Sequence, residues 1–196
     1  MSSESSSRDD DAGIVARVLA GDTNAFEGIV SRWQGPLLSL AYRLSRDHSL
    51  AEEMAQEALL KVFRNLKRWR GEAKFSTWMF SVALNHYRTR LRRHIPPAVE
   101  LADAEAVAAA GDLASEMAAA SRDSIVRRAV ALLPPKYRDT IVVYYFQQQD
   151  VVETAATLGT KPGTVKARLH RARKLLKTKL KALGHPLALA NREAEA

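Results

Sequence analysis

The chain has 196 residues, enough for one ordinary hydrophobic core or two small ones, and 30 Lys and Arg against 22 Asp and Glu give it a formal net charge of +8. That balance, with a sequence pI near 9.9, favours a polyanionic partner, nucleic acid first, although solvated basic faces are common and charge alone does not decide. The lack of cysteine excludes a disulfide framework and thiolate metal sites and fits a reducing compartment.

The start Met1-Ser2-Ser3-Glu4-Ser5-Ser6-Ser7-Arg8-Asp9-Asp10-Asp11 has neither the basic head nor the apolar run of a signal peptide, and no apolar stretch approaches the roughly 18 residues needed to cross a bilayer. A soluble cytoplasmic protein is the expectation. Residues 1–12 cannot bury apolar surface and are expected to form a disordered tail. From Ile14 the spacing turns helical. Ile14, Val15, Val18 and Leu19 share a stripe, Gly21 stops that helix, and Asp22 can cap the next one. The second helix carries Phe26, Ile29, Val30, Trp33, Leu37, Leu38, Leu40, Ala41 and Leu44, with Gly35-Pro36 expected to kink or break it.

A third helix is expected from Ser49, with Glu52 in capping-box spacing. Met54, Ala55, Ala58, Leu59, Val62, Phe63 and Leu66 form its apolar stripe, and Glu52, Glu53, Gln56, Glu57, Lys61 and Arg64 its polar one, which on pattern alone could be a solvated face. After the loop Trp69 to Lys74, a fourth helix is predicted from Ser76 or Thr77 through Trp78, Phe80, Val82, Leu84 and Tyr87 into Arg88, Arg90, Arg92 and Arg93. Trp78 and Phe80 beside Val82 and Leu84 suit a core better than stacking platforms.

Pro96-Pro97 closes this block. The segment 95–121 holds Glu100, Asp103, Glu105, Asp112 and Glu116 without Lys or Arg, and it is alanine-rich with few large apolar groups to dock. It reads as an acidic linker, transiently helical at most. A second block begins near Arg122 with Ile125, Val126, Ala129, Val130, Leu132 and Leu133, then Pro134-Pro135. Ile141 to Phe146 has the composition of a strand, but no neighbouring segment could pair with it, so a buried helix is expected.

The last part of this block is the most specific. Val151 to Leu158 makes about two turns, Gly159 supplies a left-handed stop, and Pro162 suits the first turn of a second, basic helix. At roughly 100° per residue Val165, Leu169, Ala172 and Leu176 form its buried stripe, leaving Lys166, Ala167, His170, Arg171 and Lys174 outward. This is a helix-turn-helix whose second helix has the shape and charge for a DNA major groove. Lys166 and Arg171 can reach guanine edges or phosphates, and small Ala167 permits close approach. Lys177, Lys179 and Lys181 lie too far along to read the same bases; they touch phosphate or solubilise the helix.

With both blocks in view, the chain resembles a bacterial alternative sigma factor of the extracytoplasmic-function type, from about Asp22 to Leu183. The carriers in the first block are Gly21 to Glu27, Ala51 to Glu57, Phe75 to Phe80, Ala83-Leu84-Asn85 and Leu91-Arg92-Arg93. In the second they are Leu133-Pro134, Ala155 to Gly159, Gly163 to Lys166 and Arg168 to Arg173. The resemblance implies an all-α fold of two helical domains: σ2-like over 13–94 and σ4-like over 122–184, joined by the linker and followed by a tail over 185–196.

It further implies a factor that directs core RNA polymerase to promoters, in a stress or envelope response, without cofactor or metal. Glu52, Glu53, Gln56 and Glu57 would dock on the clamp helices of the β′ subunit, and σ4 on the β flap. Arg70, Gly71, Lys74, Phe75, Asn85, Tyr87, Arg88 and Arg92 would engage the minus-10 element and help separate its strands, which requires a surface for an extruded base and cations along the backbone. Lys161, Thr164, Lys166, Ala167, Arg168, His170 and Arg171 would bind the minus-35 element. The linker would pass near the RNA exit path, and an anti-sigma factor, often membrane-anchored, would be a partner.

One departure stands out. Asp150-Val151-Val152-Glu153-Thr154-Ala155 replaces the Tyr-Glu-Glu-Ile-Ala type opening of many relatives, so promoter preference does not transfer. A stand-alone helix-turn-helix regulator is the rival, distinguished by DNA binding without core polymerase. An enzyme is disfavoured, because His-Glu-x-x-His, Gly-x-Ser-x-Gly and phosphate-loop patterns are missing and the five His are scattered.

Overall fold

The computed structural model describes residues 3–94 and 122–183, and all regular structure within them is helical. The expected acidic linker and the C-terminal tail lie outside the described residues. The first unit contains α1 (Ser3–Leu19), α2 (Phe26–Ser45), α3 (His48–Asn65) and α4 (Phe75–His94). The second contains α5 (Arg122–Ala131), α6 (Pro135–Ile141), a π-helical turn (Val142–Phe146), α7 (Val151–Leu158) and α8 (Pro162–Ala182).

Residue choice explains the first unit. α2 supplies Ile29, Leu37, Leu40, Ala41 and Leu44, all buried, and α3 meets them with Ala51, Met54, Ala55, Ala58 and Val62. The alanines let the two helix axes approach, and each large side chain enclosed here contributes about 1.5–3 kcal/mol. α4 adds Met79, Phe80, Ala83, Leu84 and Tyr87. Between α2 and α3, Arg46 reverses the chain with φ of 61° and its N–H bonds the Tyr42 carbonyl at 2.9 Å.

The structure corrects four local expectations. The Ser/Asp-rich start is helical from Ser3, because its carboxylates have a destination: Asp10 and Asp11 pair with Arg32, and Trp33 Nε1 donates to Asp11 at 3.3 Å. Asp11 is buried, and desolvation raises its pKa even though Arg32 opposes the rise. α1 also approaches α2 closely at Gly28, where a Cβ would stand 2.8 Å from Ile14 Cδ1. Second, α2 runs unbroken through Pro36, its buried stripe continuing on both sides. Third, α3 begins one residue early, because the Asp47 carboxylate accepts from Leu50 N at 2.9 Å; Glu52 turns instead to His48 at 3.3 Å. Fourth, α4 starts at Phe75, whose ring is itself core.

In the second unit the strand-like run is helical, as its isolation requires: α6 ends at Ile141 and the π turn carries Val142 and Val143 inward. The two units touch. α4 lies against α7, where the single proton of the Thr157 hydroxyl is within reach of Gln149 Oε1 at 2.8 Å and of the Thr77 carbonyl at 3.3 Å. Lys74 pairs with Glu153, and Arg88 Nε donates to Asp139 at 2.8 Å, with Asp139 buried. The apolar residues of both units merge into one cluster.

Candidate nucleic-acid interface

Local chemistry defines the helix-turn-helix sharply. α7 opens on a complete capping box: Asp150 accepts from Glu153 N at 2.7 Å, and the Glu153 carboxylate accepts from Asp150 N at 3.2 Å. It closes on Gly159 at φ 64° and ψ 42°, with Thr160 N donating to Ala155 O at 2.9 Å and Gly159 N to Ala156 O at 3.2 Å. This paired closure satisfies the last carbonyls of α7 and needs the left-handed residue that glycine provides. Pro162 then starts α8.

The stripe Val165, Leu169, Ala172 and Leu176 is buried and continues to Leu180. Lys161, Lys166, Ala167, His170, Arg171 and Lys174 are exposed, while Thr164 and Arg168 are half-buried. The outward residues therefore share one face, free of other parts of the described chain. Lys177 lies about 16 Å along the axis from Lys166 at 1.5 Å per residue, out of reach of the same bases. Arg173 is different: its Nε donates to Tyr145 Oη at 2.9 Å, tying α8 to the π turn.

The residues expected to engage the minus-10 element divide into three groups. Arg70, Gly71, Asn85 and Arg92 are exposed, and the loop bearing the first two is pinned by Trp69, whose Nε1 donates to the Ala73 carbonyl at 3.1 Å. Lys74 and Arg88 are half-buried and engaged by Glu153 and Asp139 of the second unit. Phe75 and Tyr87 are enclosed; Tyr87 is fully buried and its hydroxyl donates to the Leu37 carbonyl at 3.2 Å. These two are core residues in this arrangement, which corrects their placement on a DNA-facing surface. Burial also raises the Tyr87 pKa far above its usual value. Phe80 is core as well, and Trp78 is half-buried at 5.7 Å from Phe75.

On α3, Glu52, Glu53 and Gln56 are exposed. Glu57 lies 2.7 Å from His86 Nε2 and 3.3 Å from Arg90, which also meets Glu53 at 3.0 Å. Leu60 and Phe63 are 54% and 37% exposed on the same helix, one and two turns beyond Gln56, so the face is apolar at one end and acidic at the other. Phe63 belonged to the expected buried stripe and Leu60 to neither stripe; only the packing of α3 shows that they open to solvent.

The last element pair among the described residues is an exposed, basic helix-turn-helix, the arrangement with which DNA-binding proteins enter a major groove. Comparison with known proteins makes this specific. A model of sigma-70 region 2 matches residues 29–94, and one of sigma-70 region 4 matches 123–176. The RNA polymerase sigma-H factor of Pseudomonas aeruginosa is 32% identical over 90% of this chain and 96% of its own. The ECF RNA polymerase sigma factor SigM of Mycobacterium tuberculosis is 34% identical over 83% of this chain and 81% of its own. Among solved structures, the sigma factor RpoE in complex with the anti-sigma factor NepR, from Bartonella quintana, aligns with a TM-score of 0.61 at 20% identity, covering 80% of this chain and 96% of that one.

The chain belongs to the sigma-70 family, in its extracytoplasmic-function group, and its role is that of an RNA polymerase sigma factor. The family is one of non-enzymatic initiation factors, and the stand-alone regulator is set aside. No described helix is long and apolar enough to cross a membrane.

Proposed function

We propose that the chain directs core RNA polymerase by holding duplex minus-35 DNA on α8 and the minus-10 element on α4 with its preceding loop. The observation that carries this is the pairing, in one chain, of an outward basic face on α8 with exposed Arg70, Asn85 and Arg92 on the other unit. In this reading the σ2-like domain covers 13–94 and the σ4-like domain 122–184. Lys161, Lys166, His170 and Arg171 approach the major groove, with Thr164 and Arg168 at its edge. Lys74 and Arg88 join the minus-10 set once Glu153 and Asp139 withdraw. Run-off transcription with purified core polymerase and genomic promoter fragments tests the reading: specific transcripts that depend on the chain are expected, and none would overturn it.

The α3 face of Glu52, Glu53, Gln56 and Glu57 is the proposed core-polymerase surface, with Leu60 and Phe63 as its apolar end. An apolar patch beside charged residues is the anatomy of a protein interface. Glu52→Lys with Glu53→Lys should weaken the affinity for core polymerase while leaving the circular dichroism spectrum unchanged; unaltered affinity would remove this assignment. An anti-sigma factor is a further proposed partner, supported by the anti-sigma factor NepR bound to RpoE in the Bartonella complex.

A further inference from the structure

Cations meet the contact between the two units in two different ways. Lys74 and Arg88 each meet a carboxylate across it. Where α2 meets α5, Arg43, Arg46 and Arg127 line one hollow with Tyr42, Val130 and Phe146, and among the described residues no carboxylate pairs with any of the three. The Arg43 guanidinium stacks on the Phe146 ring at 3.6 Å, and its buried Nε has no hydrogen-bond partner among the described residues. A fourth cation, Arg138, is close enough for the Arg46 charge to lower its pKa; among the described residues its Nε has no hydrogen-bond partner, and Asp139, 4.0 Å away, is already engaged by Arg88. Desolvation lowers the pKa of Arg43, with Arg127 adding to the effect, and desolvation and Arg46 act the same way on Arg138. Like charges gathered at a partly dry contact oppose that contact unless an anion joins them.

We propose that this hollow is a binding site for a phosphoryl anion, free phosphate or an oligophosphate, held by Arg43, Arg46 and Arg127. Guanidinium groups match phosphate oxygens in geometry and keep their charge when desolvated, which lysines do less well. The hollow, with a volume of about 90 Å³ and an opening to solvent, has room for a phosphoryl group among the three guanidinium groups. A longer chain of phosphates would project past exposed Arg46 and Arg127. A duplex backbone, which needs an open track, is a poorer fit.

The site draws Arg43 and Arg46 from the first unit and Arg127 from the second, so it is complete only while the units touch. A ligand that binds only this arrangement stabilises it by mass action. If Lys74 and Arg88 serve minus-10 DNA, the anion also keeps them occupied; the binding itself does not rest on that reading.

Calorimetric titration of the full chain with sodium tripolyphosphate and with orthophosphate, against sodium chloride at matched ionic strength, tests the site. Saturable binding with a rise in Tm is expected for tripolyphosphate, and the orthophosphate arm shows whether one phosphoryl group suffices. Arg46→Gln and Arg127→Gln, both at exposed positions, should each weaken binding about tenfold or more. Lys166→Gln with Arg171→Gln on α8 should leave it intact. Three results would overturn the site: no binding beyond the chloride control, equal affinity in the Arg46 and Arg127 variants, or loss in the α8 variant. Failure of run-off transcription would leave these titrations unaffected, so the two readings fail separately.

Discussion

Arg171 is exposed on the outward face of α8, and its value as a reading residue is measurable. With the chain bound to core polymerase, Arg171→Ala should weaken binding to the cognate minus-35 duplex by roughly 1–3 kcal/mol relative to scrambled DNA, measured by fluorescence anisotropy. Equal loss on both duplexes would reassign it to phosphate. His86 offers a second test. Burial and the Lys61 charge, with Arg90 adding to them, hold its pKa below 6.5 despite nearby Glu57. The folded state therefore favours the neutral imidazole. Its contribution to stability is complete above pH 6.5 and is lost as pH falls through the lower folded value. Urea midpoints of wild type should drop over that window, and those of His86→Gln should drop less; parallel curves would exclude His86 as the source.

At the scale of the element, α7 has only eight residues and depends on its ends. Asp150→Ala should cost about 1 kcal/mol through loss of the cap, and Gly159→Ala about 1–2 kcal/mol through a left-handed residue with a Cβ. Equilibrium urea unfolding measures both. Gly159 is legible in the sequence because a glycine after an apolar run and shortly before Lys-Pro has few other uses. The capping box is harder to see there, since Asp150 to Ala155 stands out first as a departure from the usual opening. In physical terms that departure supplies the helix with both of its reciprocal end bonds. α3 gives the complementary case: its apolar pattern is legible, but Leu60 is left largely open and Phe63, though edge-on to Phe26, is only partly covered.

For the whole molecule the decisive feature is the contact of α4 with α7. Lys74→Glu places two carboxylates together beside Thr77 and Thr157, and it should open the units; Lys74→Glu combined with Glu153→Lys should close them again. Small-angle scattering of the three proteins should show a larger radius of gyration only for the single variant, and no difference among them would mean that this pair does not control closure. Neither partner could be matched from the sequence, because 79 positions separate residues 74 and 153.

The sequence by itself determined the all-helical fold, the turn at Gly159, the buried stripe of α8 and thus its outward face, because each depends on periodicity, caps and backbone freedom acting over a few residues. Tertiary structure decided which outward residues stay accessible. It enclosed Phe75 and Tyr87, gave Lys74 and Arg88 carboxylate partners, folded the acidic start against Arg32 and gathered arginines at the junction of the units. The reason is that burial and charge pairing depend on groups far apart in the chain, and local pattern carries no information about which distant partner arrives.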